Sequence, residues 1–197
     1  MADRSAQLQR ETTETRIEIR LDLDGKGETD IDTGIGFFDH MLTALGKHAL
    51  LNLHVRAIGD RHVDLHHTVE DVGIVLGQAL DQALGDRAGI ARYASMHLPM
   101  DEALVRAALD VSGRPYLVFG YQPHPGECVG EFPMELLEEF FRALAHQARI
   151  TLHLDLIHGR NVHHIAECFF KSFARVLDAA TQKDPRVRGI PSTKDVL

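Results

Sequence analysis

His66-His67-Thr68-Val69-Glu70 and His163-His164-Ile165-Ala166-Glu167 repeat one arrangement of ligand-type side chains: two adjacent histidines, then a glutamate three residues after the second. Imidazole and carboxylate without thiolate suit divalent Mn, Fe, Co, Ni or Zn. On a helix, sequence neighbours point about 100° apart, while residues three or four apart share a face. Glu70 can therefore accompany His66 or His67, but the two rings must diverge, and the same holds for His163, His164 and Glu167. One helix start can aim its rings at two different metals. Two such helices supply four imidazoles and two carboxylates, close to two mixed nitrogen/oxygen sites. Open octahedral positions favour Mn or Fe over a closed structural zinc site. A lone His-His pair near a helix start is most often a capping or surface feature. A second copy with the same glutamate at the same offset points instead to metal binding, and from there to catalysis.

Composition narrows the classes of function. The formal charge is −8, which argues against a nucleic-acid surface, since that needs a clustered basic face. A small phosphorylated ligand needs only a few local Arg or Lys groups and is not excluded. Two cysteines, Cys128 and Cys168, make no disulfide framework, so a reducing cytoplasm is the expected compartment. Cys168 reads as a small buried apolar residue rather than a ligand. No apolar run approaches the roughly 20 residues that span a bilayer, and the polar stretch MADRSAQLQRETTETR does not read as a signal peptide.

The elements that must position the histidines follow from periodicity. Residues 10–23 alternate at Ile17, Ile19, Leu21 and Leu23 and read as a strand, with a turn at residues 24–27 and a short strand at 28–32 completing a hairpin. Helices are predicted over 37–46 and 66–84, the second stopped by Gly85, with a strand at 50–58 between them. The second half carries strands at 91–98, 104–111 and 116–119, a Pro- and Gly-rich loop, a helix at 134–148, a strand at 150–157 and a helix at 162–180. The halves share an order. Setting Leu53-His54 on Leu152-His153 puts Phe37–Leu45 on Leu136–Leu144, and a two-residue deletion then puts His66-His67 and Glu70 on His163-His164 and Glu167. His40 falls on Glu139, and both are candidate further ligands. The expected fold is α+β, a duplicated half-domain of strands, helix, strand, helix, with two four-stranded sheets flanking a four-helix layer. The expected organisation is one domain over 1–197, with pseudo-repeats at about 10–90 and 91–182 and a tail at 183–197.

Within this framework GFFDHML, DLHHTVEDVGI, PMDEALV, DVSGRPY, TLHL, HHIAECFFKSFARVL and the terminal PSTK follow one another in a set that closely resembles the imidazoleglycerol-phosphate dehydratase family of histidine biosynthesis, from about Arg10 to Leu197. The resemblance implies a lyase that dehydrates D-erythro-imidazole-glycerol phosphate to imidazole acetol phosphate, with two Mn2+ per active site. It also implies a homo-oligomer, 24 subunits in the usual form, with sites at subunit contacts. It assigns the metal ligands to His40, His66, His67, Glu70, His163, His164 and Glu167. The eighth position, a histidine in the family's EHFF-like segment, is here Glu139 in EEFF. Substrate contacts carry over to Glu14, Arg92, Arg114, Ser192, Thr193 and Lys194. Arg forks and a Lys charge suit a phosphate.

A mechanism follows as an expectation. The hydrogen lost from C2 is not next to a carbonyl, so simple proton abstraction is difficult. With both ring nitrogens on metal as imidazolate, the imidazole can push electrons toward C3 and expel hydroxide, leaving a diazafulvene. Glu14, Glu70, Glu167 and Asp101 are the candidate acid/base groups, with Glu14 and Glu167 favoured. A metal-storage oligomer and a dinuclear hydrolase are the competing readings. Storage has no use for Arg92, Arg114 and residues 192–194 gathering on a phosphate, and a dinuclear hydrolase would typically use metal-bridging carboxylates rather than twin His-His-x-x-Glu helices.

Overall fold

Alternation of buried aliphatic and exposed polar side chains builds the first sheet of the computed structural model, which describes residues 4–197. Strand β1 (Ser5–Glu11) pairs antiparallel with β2 (Thr15–Asp22), whose Ile17, Ile19 and Leu21 are buried. β3 (Thr29–Asp32), α1 (Gly36–Ala49), β4 (Asn52–Gly59) and α2 (His66–Leu84) complete the first half. The second half contains β5 (Tyr93–Met100), β6 (Ala103–Asp110), β7 (Tyr116–Gly120), a small hairpin of β8 (Cys128–Val129) and β9 (Phe132–Pro133), then α3 (Leu136–Gln147), β10 (Thr151–His158) and α4 (Val162–Thr181).

The two four-stranded sheets have equivalent orders, β1-β2-β4-β3 and β5-β6-β10-β7, and in each the last pair is parallel. Offsetting β4 by 99 residues reproduces the bounds of β10 (52 to 151, 59 to 158). The duplicated α+β fold is therefore present, with α2 on the first sheet, α4 on the second, and the helices packed on one another as α1 with α4 and α2 with α3.

All four helices start at the same end of the molecule. Phe37 sits edge-on to His163 with ring centroids 5.3 Å apart, and farther along Arg175 Nη1 donates to the His48 carbonyl at 3.0 Å, so α1 and α4 run side by side in one direction. Gly73 lies against Phe140 and Gly77 against Leu144, giving α2 and α3 the same relation. Phe38 and Phe140, 5.4 Å apart, join the two pairs within a buried cluster that includes Phe141, Phe169, Phe170 and Phe173. Burying each such side chain is worth about 2–3 kcal/mol. At the far end Leu50, Gly85 and Gln182, which follow α1, α2 and α4, line one cleft.

Four local expectations are corrected. Residues 10–23 are not one strand: Thr12 Oγ1 accepts the Glu14 and Thr15 backbone N–H groups and turns the chain between β1 and β2. The residue 28–32 segment does not close a hairpin on β2; β3 crosses over to pair in parallel with β4. The loop after β7 contains the β8–β9 hairpin. The first half also begins at Ser5, before residue 10.

The α2–α3 contact gives a test of the packing. A Cβ on Gly77 would lie 2.6 Å from the Leu144 carbonyl oxygen and 3.0 Å from the Ala148 nitrogen, both backbone atoms. Helix propensity favours Ala over Gly by about 1 kcal/mol, but overpacking costs about 1–3 kcal/mol, and backbone cannot rotate away. Gly77→Ala is expected to lower the urea midpoint; a raised midpoint would contradict the close parallel packing.

Candidate active site

Each His-His-x-x-Glu motif opens its helix. The His66 backbone N–H donates to Asp64 Oδ1 at 2.8 Å, and at α4 the Asn161 side chain accepts from the His163 N–H at 3.0 Å. These local caps satisfy N–H groups that have no partner within the helix. The adjacent rings diverge as helical spacing requires, standing 6.2 Å apart at 85° for His66 and His67, and 6.3 Å apart at 89° for His163 and His164. The first histidine of each pair faces the glutamate one turn on: His66 Nε2 is 3.9 Å from Glu70, and His163 Nε2 is 3.2 Å from Glu167.

The second histidine of each pair turns to carboxylates from loops. His67 Nδ1 lies 3.0 Å from Asp60 and 4.0 Å from Glu14 at the β1–β2 turn. His164 Nδ1 lies 2.7 Å from Glu102, and its Nε2 lies 3.8 Å from Asp101. Both imidazole pKa values are raised, by the Asp60 hydrogen bond at His67 and by the Glu102 hydrogen bond at His164. Glu102 is held down at about 2 by the His164 contact and by the backbone N–H groups of Asn161 and Arg160.

His40 on α1 reaches the α4 motif. Its Nε2 is 3.6 Å from Glu167, and one ligand atom each from His40, His163 and Glu167 fall within 4.8 Å of one another, a spacing one divalent ion can fill. Burial opposes charge on Glu167, but the Lys171 ammonium at 2.6 Å, with His40 and His163, outweighs it and lowers the pKa. The donor set is nitrogen and oxygen only, since the buried Cys168 thiol donates to the Leu98 carbonyl. Glu139 lies on α3, which runs beside α2, with its carboxylate 4.0 Å from Arg142 Nε. Among the described residues it joins no three-ligand group.

The remaining candidates gather elsewhere. Arg92, Arg114, Ser192, Thr193 and Lys194 line one cleft of about 800 Å³ at the start of β5. Arg92, in a left-handed backbone conformation (φ 74°), is bound to Asp110 at 2.8 Å and to the Pro191 carbonyl at 2.7 Å, so it fastens the tail onto the second sheet. Arg114 is 69% exposed in its side chain, and the Lys194 backbone N–H bonds Ser192 Oγ at 3.1 Å. This cleft lies beside the far end of α4, where the Arg92 N–H meets the Ala180 carbonyl. The 20-residue α4 spans roughly 30 Å between it and the histidines.

The protein-family model for imidazoleglycerol-phosphate dehydratase matches residues 33–177, a span that contains both histidine motifs, His40 and Glu139. The chain belongs to the imidazoleglycerol-phosphate dehydratase family. An imidazoleglycerol-phosphate dehydratase from Paracoccus denitrificans is 58% identical over 195 residues, covering 98% of this chain and all of that protein. One from Acetivibrio thermocellus is 55% identical, over 99% of this chain and all of its own length. The crystal structure of the Staphylococcus aureus imidazoleglycerol-phosphate dehydratase matches with TM-score 0.82 and 43% identity, over 91% of this chain and 99% of that one. The Pyrococcus furiosus structure, in complex with (S)-C348, matches with TM-score 0.83 and 34% identity, over 96% and 100%. The family's activity makes the chain a hydro-lyase of histidine biosynthesis.

Within this dehydratase fold three neighbours of the motifs escaped the sequence reading. Lys171 carried a usable signal, four residues after Glu167 on one helix face. Asp60 and Glu102 carried none, because they reach the histidines from loops 7 and 62 residues away. Asp71, next to Glu70, is also buried and accepts from Arg10 and from the Thr15 hydroxyl. It thereby ties down the hairpin that carries Glu14. Asp71→Ala leaves the buried Thr15 hydroxyl without its acceptor and is expected to cost about 1–3 kcal/mol. The readout is the denaturant midpoint together with faster amide exchange over residues 10–16; unchanged exchange there would remove Asp71 from this role.

Proposed function

We propose that the chain dehydrates D-erythro-imidazole-glycerol phosphate to imidazole acetol phosphate, with two Mn2+ per active site in sites completed between copies of the chain. The observation that carries this reading is the pair of helix starts whose adjacent histidines stand nearly perpendicular, each pair with its own carboxylates. His40, His66, His67, Glu70, Glu139, His163, His164 and Glu167 would hold the ions, and the all nitrogen/oxygen donor set of the His40 cluster fits them. Bound Mn2+ would supply Lewis acidity toward the substrate's imidazole ring and a template for its orientation.

The chain's own groups account for the rest of the chemistry. The reaction removes the C2 hydrogen and the C3 hydroxyl as water, and the resulting enol becomes the ketone. Glu14, exposed on the hairpin turn beside His67, is positioned to take or return a proton. Glu167, ionised beside Lys171, is suited to accept one, and Glu70 is its counterpart on α2. In the tail cleft Arg114, Lys194, Ser192 and Thr193 offer donors to the phosphate, while Arg92 fixes the wall that carries them.

The separation of roughly 30 Å along α4 supports a site shared between subunits, because a small substrate cannot touch the histidines and the tail cleft of one chain. Exposed apolar side chains on the second sheet, Tyr93, Tyr116 and Ile157, are further support for homo-oligomerisation, with 24 subunits as the expected form. Among the described residues no helix is long and apolar enough to cross a membrane.

The test is direct. Protein stripped with chelator should give no ketone from imidazole-glycerol phosphate, and adding Mn2+ should restore it. Absence of product with stoichiometric Mn2+ bound would reject the dehydratase reading in favour of storage.

A further inference from the structure

We propose that Glu102 and Asp60 are positioning residues that fix the tautomer of the second histidine in each motif, leaving its Nε2 lone pair free for metal. The inference rests on the metal role proposed above for the two helix starts.

An ionised carboxylate only accepts hydrogen bonds, so a neutral imidazole facing one through Nδ1 must carry its proton there. His164 Nδ1 meets Glu102 Oε2 at 2.7 Å, and His67 Nδ1 meets the two Asp60 oxygens at 3.0 and 3.2 Å. A second contact fixes the same tautomer at His164. The Asn161 oxygen is committed to the His163 N–H, so the atom facing His164 Nε2 at 3.5 Å is the amide nitrogen, a donor to an unprotonated Nε2. Carboxylates behind ligating histidines orient the ring in this way and raise its basicity.

The two carboxylates come from non-equivalent places. Asp60 follows β4, whereas Glu102 lies in the β5–β6 turn, and residue 159, which corresponds to Asp60 in the second half, is glycine. The sheet registers set Glu102 on Glu14, which stands 4.0 Å from His67 Nδ1, while Asp60, with glycine as its counterpart, makes the closer contact at 3.0 Å, so the two halves hold the second histidine mainly through different carboxylates.

Glu102 also separates charge from tautomer. Its Oε1 accepts the backbone N–H groups of Arg160 at 3.1 Å and Asn161 at 2.7 Å, while Oε2 alone faces His164. In Glu102→Gln the oxygen must stay on the two N–H groups, so an NH2 donor faces Nδ1 and drives the proton to Nε2. Asp60 has no such backbone commitment on its carboxylate among the described residues, so Asp60→Asn can turn its oxygen to the His67 N–H and keep the tautomer.

The experiment titrates metal-free parent, Glu102→Gln, Asp60→Asn and Asp60→Ala oligomers with Mn2+, counting free ion by its electron-paramagnetic-resonance signal and checking folding by thermal midpoint. Glu102→Gln and Asp60→Ala are expected to lose about 10- to 100-fold in affinity at one class of site. Asp60→Asn should stay close to the parent, and Glu102→Gln should melt like the parent because its loop bonds survive. Parental affinity in Glu102→Gln, or equal losses in Glu102→Gln and Asp60→Asn, would overturn the tautomer role. A parent oligomer that binds no Mn2+ would overturn the metal reading and this inference with it.

Discussion

Two neighbouring side chains on a helix cannot point the same way, and this constraint organises the whole site. With about 100° between them, His66 and His67 cannot both serve one ion with Glu70, nor can His163 and His164 with Glu167. Each helix start must divide its ligands, and each half of the pair then needs separate support. The first histidine finds it on its own helix, one turn later. The second finds it on a loop, from Asp60 or Glu102. The nearly perpendicular rings are the direct expression of that division.

The duplicated fold makes the division useful by bringing four helix starts to one end. Gly73 and Gly77 let α2 and α3 lie close and parallel, and the phenylalanine cluster joins them to α1 and α4. The same arrangement sends the helix ends, and the tail cleft beside them, to the opposite end. One chain therefore separates its ligand-rich end from its phosphate-suited cleft by about the length of α4. Juxtaposing a second copy is the simplest way to unite them around one small substrate.

Much of this was legible in the sequence. Strong 3.6-residue periodicity marked α2 from His66 to Leu84 and its stop at Gly85, and alternation marked β4. The repeat, visible through Leu53-His54 and Leu152-His153, carried the shared element order of the two halves. Pairing partners were less legible, because period-two patterns locate a strand without naming its neighbour. For this reason the 28–32 pattern reads as half of a hairpin, whereas β3 is a crossover strand parallel to β4. The threonines of residues 12–15 are good strand formers, and they hid the Thr12-capped turn on which Glu14 sits. The ligand-type residues announced themselves by type and spacing. Their supports, Asp60 and Glu102, are ordinary acidic residues whose roles appear only once the loops are folded.

On the proposed function, one substrate site draws its histidines and its phosphate cleft from different copies of the chain. Co-assembly of two inactive variants tests it most directly. His164→Ala removes function at one end of the chain, and Lys194→Ala combined with Arg114→Ala removes it at the other. Each variant assembled alone should turn over poorly. After the two are unfolded together and reassembled with Mn2+, sites that take histidines from one variant and the cleft from the other should regain activity. A mixed oligomer no more active than the average of its two parents would contradict the account.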